Sequence, residues 1–205
     1  GQRCLSGAVL VPVGDVADEL IEKFTSAAKA MKVGSGLDEQ ALMGPLATAA
    51  HKEKVLGYIE KGIEEGADLV MDGRDFTVAE YPNGFFVGPT LFDNVKPDMT
   101  IAKEEIFGPV VSVVRAKDLD EVIELINTRG FANAACIYTN DGATAREFKY
   151  RVLPSMVGIN IGIAAPMSFF PFGGAGGSMF GDTKAHGQEI FNFFTDTKVV
   201  IQRWF

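Results

Sequence analysis

Cysteine, histidine and tryptophan are scarce in this 205-residue chain, at two, two and one. Two cysteines, Cys4 and Cys136, cannot build the disulfide framework of a small secreted domain, so a reducing, cytoplasmic setting is expected. His51, His186 and the two cysteines show none of the spacings of a metal site, and no metal is expected. No apolar run approaches the roughly 18 residues that a membrane span requires, which argues against a membrane partner. Basic residues are also short: 19 Lys and Arg stand against 27 Asp and Glu, for a net charge of −8. That balance argues against nucleic acid as a partner, because phosphates are neutralised by clustered Lys and Arg. An initiator Met and a signal-like segment are missing as well, and Gly1-Gln2-Arg3-Cys4 reads as a start cut from something longer.

What is present is ordinary for a folded chain. Hydrophobic residues make up 47% and charged residues 22%, and the length suits one domain of about 100–200 residues. Ala8 to Val13 is an apolar run long enough for a buried strand. From Asp15 to Met31 the residues Val16, Leu20, Ile21, Phe24, Ala27 and Ala28 recur on one helical face, and Val33-Gly34-Ser35-Gly36 ends the pattern. Thr48 is a cap for a second helix to about Glu65, with Val55, Tyr58, Ile59 and Ile63 on one face. Asp68 to Met71, Phe85 to Val95, Val110 to Val114, Ala132 to Tyr138 and Val157 to Ile161 read as strands. Leu119 to Ile126 and Ala143 to Val152 read as helices. Strands alternating with helices imply parallel pairing through crossovers, hence an α/β layered domain.

The stretch Ile161 to Gly181 is a long loop rich in glycine and phenylalanine, and loops of that length are usually functional or disordered. Its run Gly173-Gly174-Ala175-Gly176-Gly177 lacks the spacing and preceding strand of a dinucleotide fingerprint, so a phosphate cradle competes with a flexible, loose loop. Phe191 to Trp204 reads as a terminal strand in need of a partner edge, which another subunit could supply.

Several residues could carry chemistry. Cys4 has Arg3 beside it, and a neighbouring cation favours a nucleophilic thiolate. The competing reading is a small buried hydrophobe, which is the one favoured for Cys136 in its apolar strand. His51 and His186 could pair with a cysteine only through the fold. In Glu104-Glu105-Ile106-Phe107-Gly108-Pro109 a Glu could grip a ribose diol and Phe107 could stack on a flat heterocycle. A solvated acidic turn before a core Phe is the alternative.

Taken in order, three segments resemble one superfamily. Gly1-Gln2-Arg3-Cys4 resembles the nucleophile motif of the aldehyde dehydrogenases. Glu105-Ile106-Phe107-Gly108-Pro109 resembles their second signature. Phe170-Pro171-Phe172-Gly173-Gly174 resembles their substrate-side loop. Arg3 directly before Cys4, the run Gly158 to Phe172, and Phe180-Gly181-Asp182 with His186-Gly187 most resemble the acylating branch that oxidises malonate and methylmalonate semialdehyde.

The resemblance implies an α/β domain in three layers with a largely parallel sheet. It also implies that Cys4 attacks the aldehyde and that its backbone N–H helps hold the oxyanion. Arg3 would pair with the substrate carboxylate, and Phe170 and Phe172 would shape the aldehyde pocket. Glu105 would bind the nicotinamide-side ribose of NAD, and Phe107 would pack near the nicotinamide. Coenzyme A would resolve the thioester, with decarboxylation. Residues 1–192 would be the catalytic domain and residues 193–205 an oligomerisation tail of a homo-oligomer. The NAD-binding Rossmann domain, which precedes the nucleophile in that family, would be absent from this chain. Activity of the chain by itself would then be weak or nil. A hydrolytic aldehyde dehydrogenase and a non-catalytic assembly module are the alternatives.

Overall fold

The computed structural model describes residues 1–205 as two compact units, Gly1–Leu125 and Ile126–Phe205. The first opens with β1 (Val9–Leu10), a 3-10 turn (Gly14–Val16) and α1 (Ala17–Ala30). It continues with α2 (Ala49–Glu64), β2 (Asp68–Met71), β3 (Thr90–Asp93), α3 (Thr100–Lys103) and β4 (Val110–Val113), and α4 (Leu119–Asn127) runs across the boundary. The strands form one sheet in the order β1-β4-β3-β2. Val9 pairs with Ser112 and Thr90 with Val110, both in parallel. Only β2 runs antiparallel, with a register shift between Leu69 and Met71 against β3.

Helix α2 forms where its signals place it. Thr48 Oγ1 accepts the His51 N–H at 3.1 Å, satisfying one of the orphan donors of the first turn. Val55 and Ile59, one turn apart, are fully buried and pack with Phe92, Ile101, Ile106 and Val110 in the core. The Glu65 carboxylate, just past the end of α2, accepts both the N–H and the hydroxyl of Thr100, at 2.7 and 2.6 Å, and so starts α3. The apolar face expected for α1 is only partly covered. Ala17 and Ala28 are buried, whereas Val16 and Leu20 are exposed.

The second unit holds β5 (Phe131–Ala132), β6 (Ala134–Ile137), α5 (Gly142–Arg151), β7 (Met156–Ile159), β8 (Ala175–Gly176) and α6 (Glu189–Phe194). Strands β6 and β7 pair in parallel from Ala134–Met156 to Ile137–Ile159, with α5 as the crossover. Asp141 caps α5 by accepting the Thr144 N–H at 2.8 Å, and Phe148 buries the inner face of the helix.

Three expectations change here. Cys136 is exposed rather than buried, because β6 and β7 form a two-stranded ribbon with one face uncovered. The glycine-rich run is not loose: β8 pairs antiparallel with β5, and the side chains of Ser155 and Lys184 donate to the carbonyls of Gly173 and Gly174. Phe191–Trp204 does not form a strand within the chain. Residues 191–194 belong to α6 and residues 195–205 carry no regular structure. A helix satisfies its own backbone donors and acceptors, whereas a strand must pair with an edge, and this segment pairs with no strand of the chain.

Candidate active site

The nucleophile candidate sits on a tight turn. The Ser6 N–H donates to the Arg3 carbonyl at 3.1 Å, and this places Cys4 at an exposed corner. The turn is tethered through Gln2, whose Oε1 accepts the Ala47 N–H at 3.1 Å. Beyond it, the Ala8 carbonyl accepts from Ser112 and the chain enters the sheet as β1.

The second segment lies directly beneath this turn. A Cβ placed on Gly1 would come 1.6 Å from the Gly108 oxygen, so the two backbones touch. Ile106 is buried and anchors the segment, while Glu105 is exposed and Phe107 half-buried. Gly108 abuts α2 so closely that a Cβ there would sit 2.6 Å from Val55 Cγ2. Phe107 takes a left-handed backbone with φ of 59°, unusual for an aromatic residue. Its carbonyl receives the His51 Nε2 at 2.8 Å, and the two rings meet edge-on with centroids 6.4 Å apart.

Between the segments is a cavity of about 80 Å³, lined among others by Arg3, Ser6, Gly7, Glu105, Phe107 and Pro109. Its size admits one small fragment; a complete small-molecule site usually takes about 300–1,000 Å³. The structure therefore brings Arg3, Glu105 and Phe107 to one place, with Cys4 adjoining Arg3 at the corner of the turn. The neighbouring Glu104 is already engaged, accepting the Tyr58 hydroxyl at 2.6 Å. That hydrogen bond, with some burial, raises the Tyr58 pKa above its ordinary value.

Phe170 and Phe172 lie in the second unit. Phe170 is exposed and packs its ring 4.7 Å from that of Phe169. Phe172 is half-buried, exchanges backbone hydrogen bonds with Ala185 and stands 5.4 Å from the His186 ring. The roles of His51 and Tyr58 escape sequence reasoning, since their partners are 56 and 46 residues away. The only local signal was the polar helix start at Thr48.

A larger open groove of about 600 Å³ lies along α1, lined by Asp18, Thr25, Lys29, Asp93 and Arg115 among others. It shares no lining residue with the cavity beside Cys4. The Arg115 guanidinium is spent on Asp93, at 3.1 and 2.7 Å, and on Asp18 at 2.7 Å.

An exposed Arg-Cys turn resting on a Glu-Ile-Phe-Gly-Pro segment, beside a mixed sheet, points to the class. The chain belongs to the aldehyde dehydrogenase family, whose model matches residues 1–200. Among its relatives is malonate-semialdehyde dehydrogenase 2 of Geobacillus kaustophilus, 49% identical over 204 residues that cover all of this chain and 42% of the relative. The crystal structure of methylmalonate-semialdehyde dehydrogenase from Oceanimonas doudoroffii superposes with a TM-score of 0.96 at 45% identity, covering 99% of this chain and 42% of that one. A Mycobacterium tuberculosis aldehyde dehydrogenase complexed with NAD+ matches with a TM-score of 0.88 at 34% identity, over 96% of this chain and 39% of that one. The chain thus spans well under half the length of the relatives it matches. No helix is long and apolar enough to cross a membrane.

Proposed function

We propose that this chain supplies the nucleophile-bearing catalytic part of an NAD-dependent, coenzyme A-acylating dehydrogenase of malonate or methylmalonate semialdehyde. The observation that carries the proposal is the convergence of Arg3, Glu105 and Phe107 on one cavity beside the exposed Cys4 turn. The names of the relatives favour a substrate with a carboxylate next to its aldehyde carbon chain.

The residues present fit the cofactor. Glu105 offers an exposed carboxylate to a ribose diol, and Phe107 offers a half-buried ring face to a flat heterocycle. When bound, NAD supplies the hydride acceptor. Cys4, as thiolate, adds to the aldehyde carbon and forms the C–S bond, while the carbonyl π electrons move to oxygen as an alkoxide. The Cys4 backbone N–H holds that oxyanion. Arg3 holds the substrate carboxylate through charge-assisted hydrogen bonds. Once the hydride has left, the alkoxide collapses to a thioester on Cys4. A thioester β to a carboxylate can lose carbon dioxide, its carbonyl taking up the electron pair before protonation. The thiol of coenzyme A then displaces the acyl group and frees the Cys4 thiolate. Phe170 and Phe172 would line the aldehyde side.

In this reading residues 1–192 form the catalytic domain and residues 193–205 the oligomerisation tail. Val199, Val200, Ile201 and Trp204 are 70–95% exposed, which suits pairing with another subunit. The chain by itself would reduce NAD weakly or not at all.

The test is to incubate the complete gene product with malonate semialdehyde and NAD, with and without coenzyme A, and to identify the product by mass spectrometry. Acetyl-coenzyme A formed only when all three are present supports the proposal. Release of a free acid regardless of coenzyme A indicates a hydrolytic enzyme. No NADH at all, with Cys4 unmodified, indicates a non-catalytic module.

A further inference from the structure

We infer that His51 is a positioning residue for the cofactor-side segment, acting through the carbonyl of Phe107; this rests on the reading of Phe107 and Glu105 as NAD-binding residues. His51, Val55 and Tyr58 recur at helical spacing and share one face of α2. Each meets a different part of the segment: Tyr58 holds Glu104, Val55 packs on Gly108, and His51 holds Phe107. Phe107 is the strained member, with φ of 59° in a region that side-chain-bearing residues avoid. A residue stays in such a conformation only where its surroundings fix it. Here the fixing contacts are the 2.8 Å bond from the imidazole and the edge-on ring contact at 69°.

The geometry also assigns the tautomer. A carbonyl oxygen only accepts, so Nε2 is the nitrogen that carries the proton. The His51 backbone is independently held, since its N–H donates to the Thr48 cap. The side chain is thus aimed from a fixed helix start at one carbonyl. Without that donor, Phe107 would relax toward a common backbone conformation, turning its ring and shifting the adjoining Glu105.

The inference is tested in the complete gene product by fluorescence titration with NADH, steady-state kinetics and thermal melting. His51→Phe keeps a ring and removes the donor; His51→Gln keeps an N–H donor. His51→Phe should weaken NADH binding about five- to tenfold, the usual worth of one lost hydrogen bond. It should raise the KM for NAD and leave the KM for the aldehyde unmoved. His51→Gln should restore binding to within about twofold of the parent protein. Equal loss in both variants, or no loss in His51→Phe, overturns the inference.

Phe107→Leu separates this from failure of the underlying reading. If Phe107→Leu weakens NADH binding and His51→Phe does not, only the role of His51 is lost. If Phe107→Leu binds NADH as the parent does, the cofactor reading itself falls. A measurement that needs no substitution stands beside these. Long-range nitrogen–proton correlation spectra of the imidazole should show Nε2 protonated, and a neutral ring with its proton on Nδ1 overturns the inference even if the variants do not fold.

Discussion

The Tyr58 hydroxyl donates to Oε2 of Glu104 at 2.6 Å, and this bond sorts two adjacent carboxylates into different jobs. Glu104 is tied to α2 and serves to fix the segment. Glu105 lines the cavity with Arg3 and Phe107. The two should therefore respond differently to the same change. Glu105→Gln should weaken NADH binding about tenfold or more, as expected on removing a charged hydrogen-bonding partner. Glu104→Gln should leave it within about twofold, because an amide oxygen still accepts from Tyr58. Fluorescence titration of both variants decides it, and equal losses would refute the division of labour.

Cys4 lies at the corner of the Arg3–Ser6 turn and is exposed. If Cys4 is the proposed nucleophile, its neighbours cannot replace it. Cys4→Ala should lower turnover by at least about 10⁴-fold, the scale seen when a covalent nucleophile is removed. NADH affinity should change little, since Cys4 does not line the cavity. Stopped-flow kinetics alongside the binding titration would show this. Retained turnover in Cys4→Ala would place the chemistry elsewhere.

Much of this arrangement was legible in the sequence, and the exceptions share a physical cause. Helix α2 was readable because its cap, Thr48, and its buried residues, Val55 and Ile59, are all local. The β6–α5–β7 unit followed from alternation. Phe191–Phe194, read as strand for its aromatic residues, is helical in the chain alone, because a strand's composition counts only where the segment pairs with an edge. Cys136 was misread because burial depends on what covers a strand, not on its own composition. At the site, Arg3, Cys4, Glu105 and Phe107 stand in contiguous motifs and could be named in advance. The grip of His51 and Tyr58 on the segment could not, since it exists only once α2 packs across it.

Two glycines of α2 make opposite predictions. Gly57 is exposed, and a Cβ added there meets nothing within 4 Å. Gly57→Ala should stabilise the chain by about 0.5–1 kcal/mol through helix propensity. Gly62 faces the core, where a Cβ would lie 2.9 Å from Ile101 Cδ1 and 3.0 Å from Phe92 Cζ. Gly62→Ala should cost about 1–3 kcal/mol through overpacking. Urea unfolding of the two variants should move the midpoint in opposite directions, and a shared direction would show that α2 does not approach the sheet this closely.

The Asp93–Arg115 pair predicts a pH dependence of stability. Burial disfavours the Asp93 carboxylate, but the Arg115 guanidinium and the Asn94 N–H overcome this and hold its pKa below the ordinary 3.8. In the unfolded chain the group protonates near 3.8; in the folded chain it does so only at lower pH. The pair therefore stabilises fully above about pH 4, and its contribution is lost as pH falls through the folded value. Asp93 is largely buried and Arg115 partly exposed, so the contribution lies between the surface and buried extremes, at about 1–2 kcal/mol. Asp93→Asn should be less stable than the parent by that amount at pH 7. The gap should close as the pH is lowered below the folded pKa of Asp93. Urea titrations across this range would measure it, and a gap that stays constant under acid would mean that the pair's charge is not what stabilises the ends of the central strands β3 and β4.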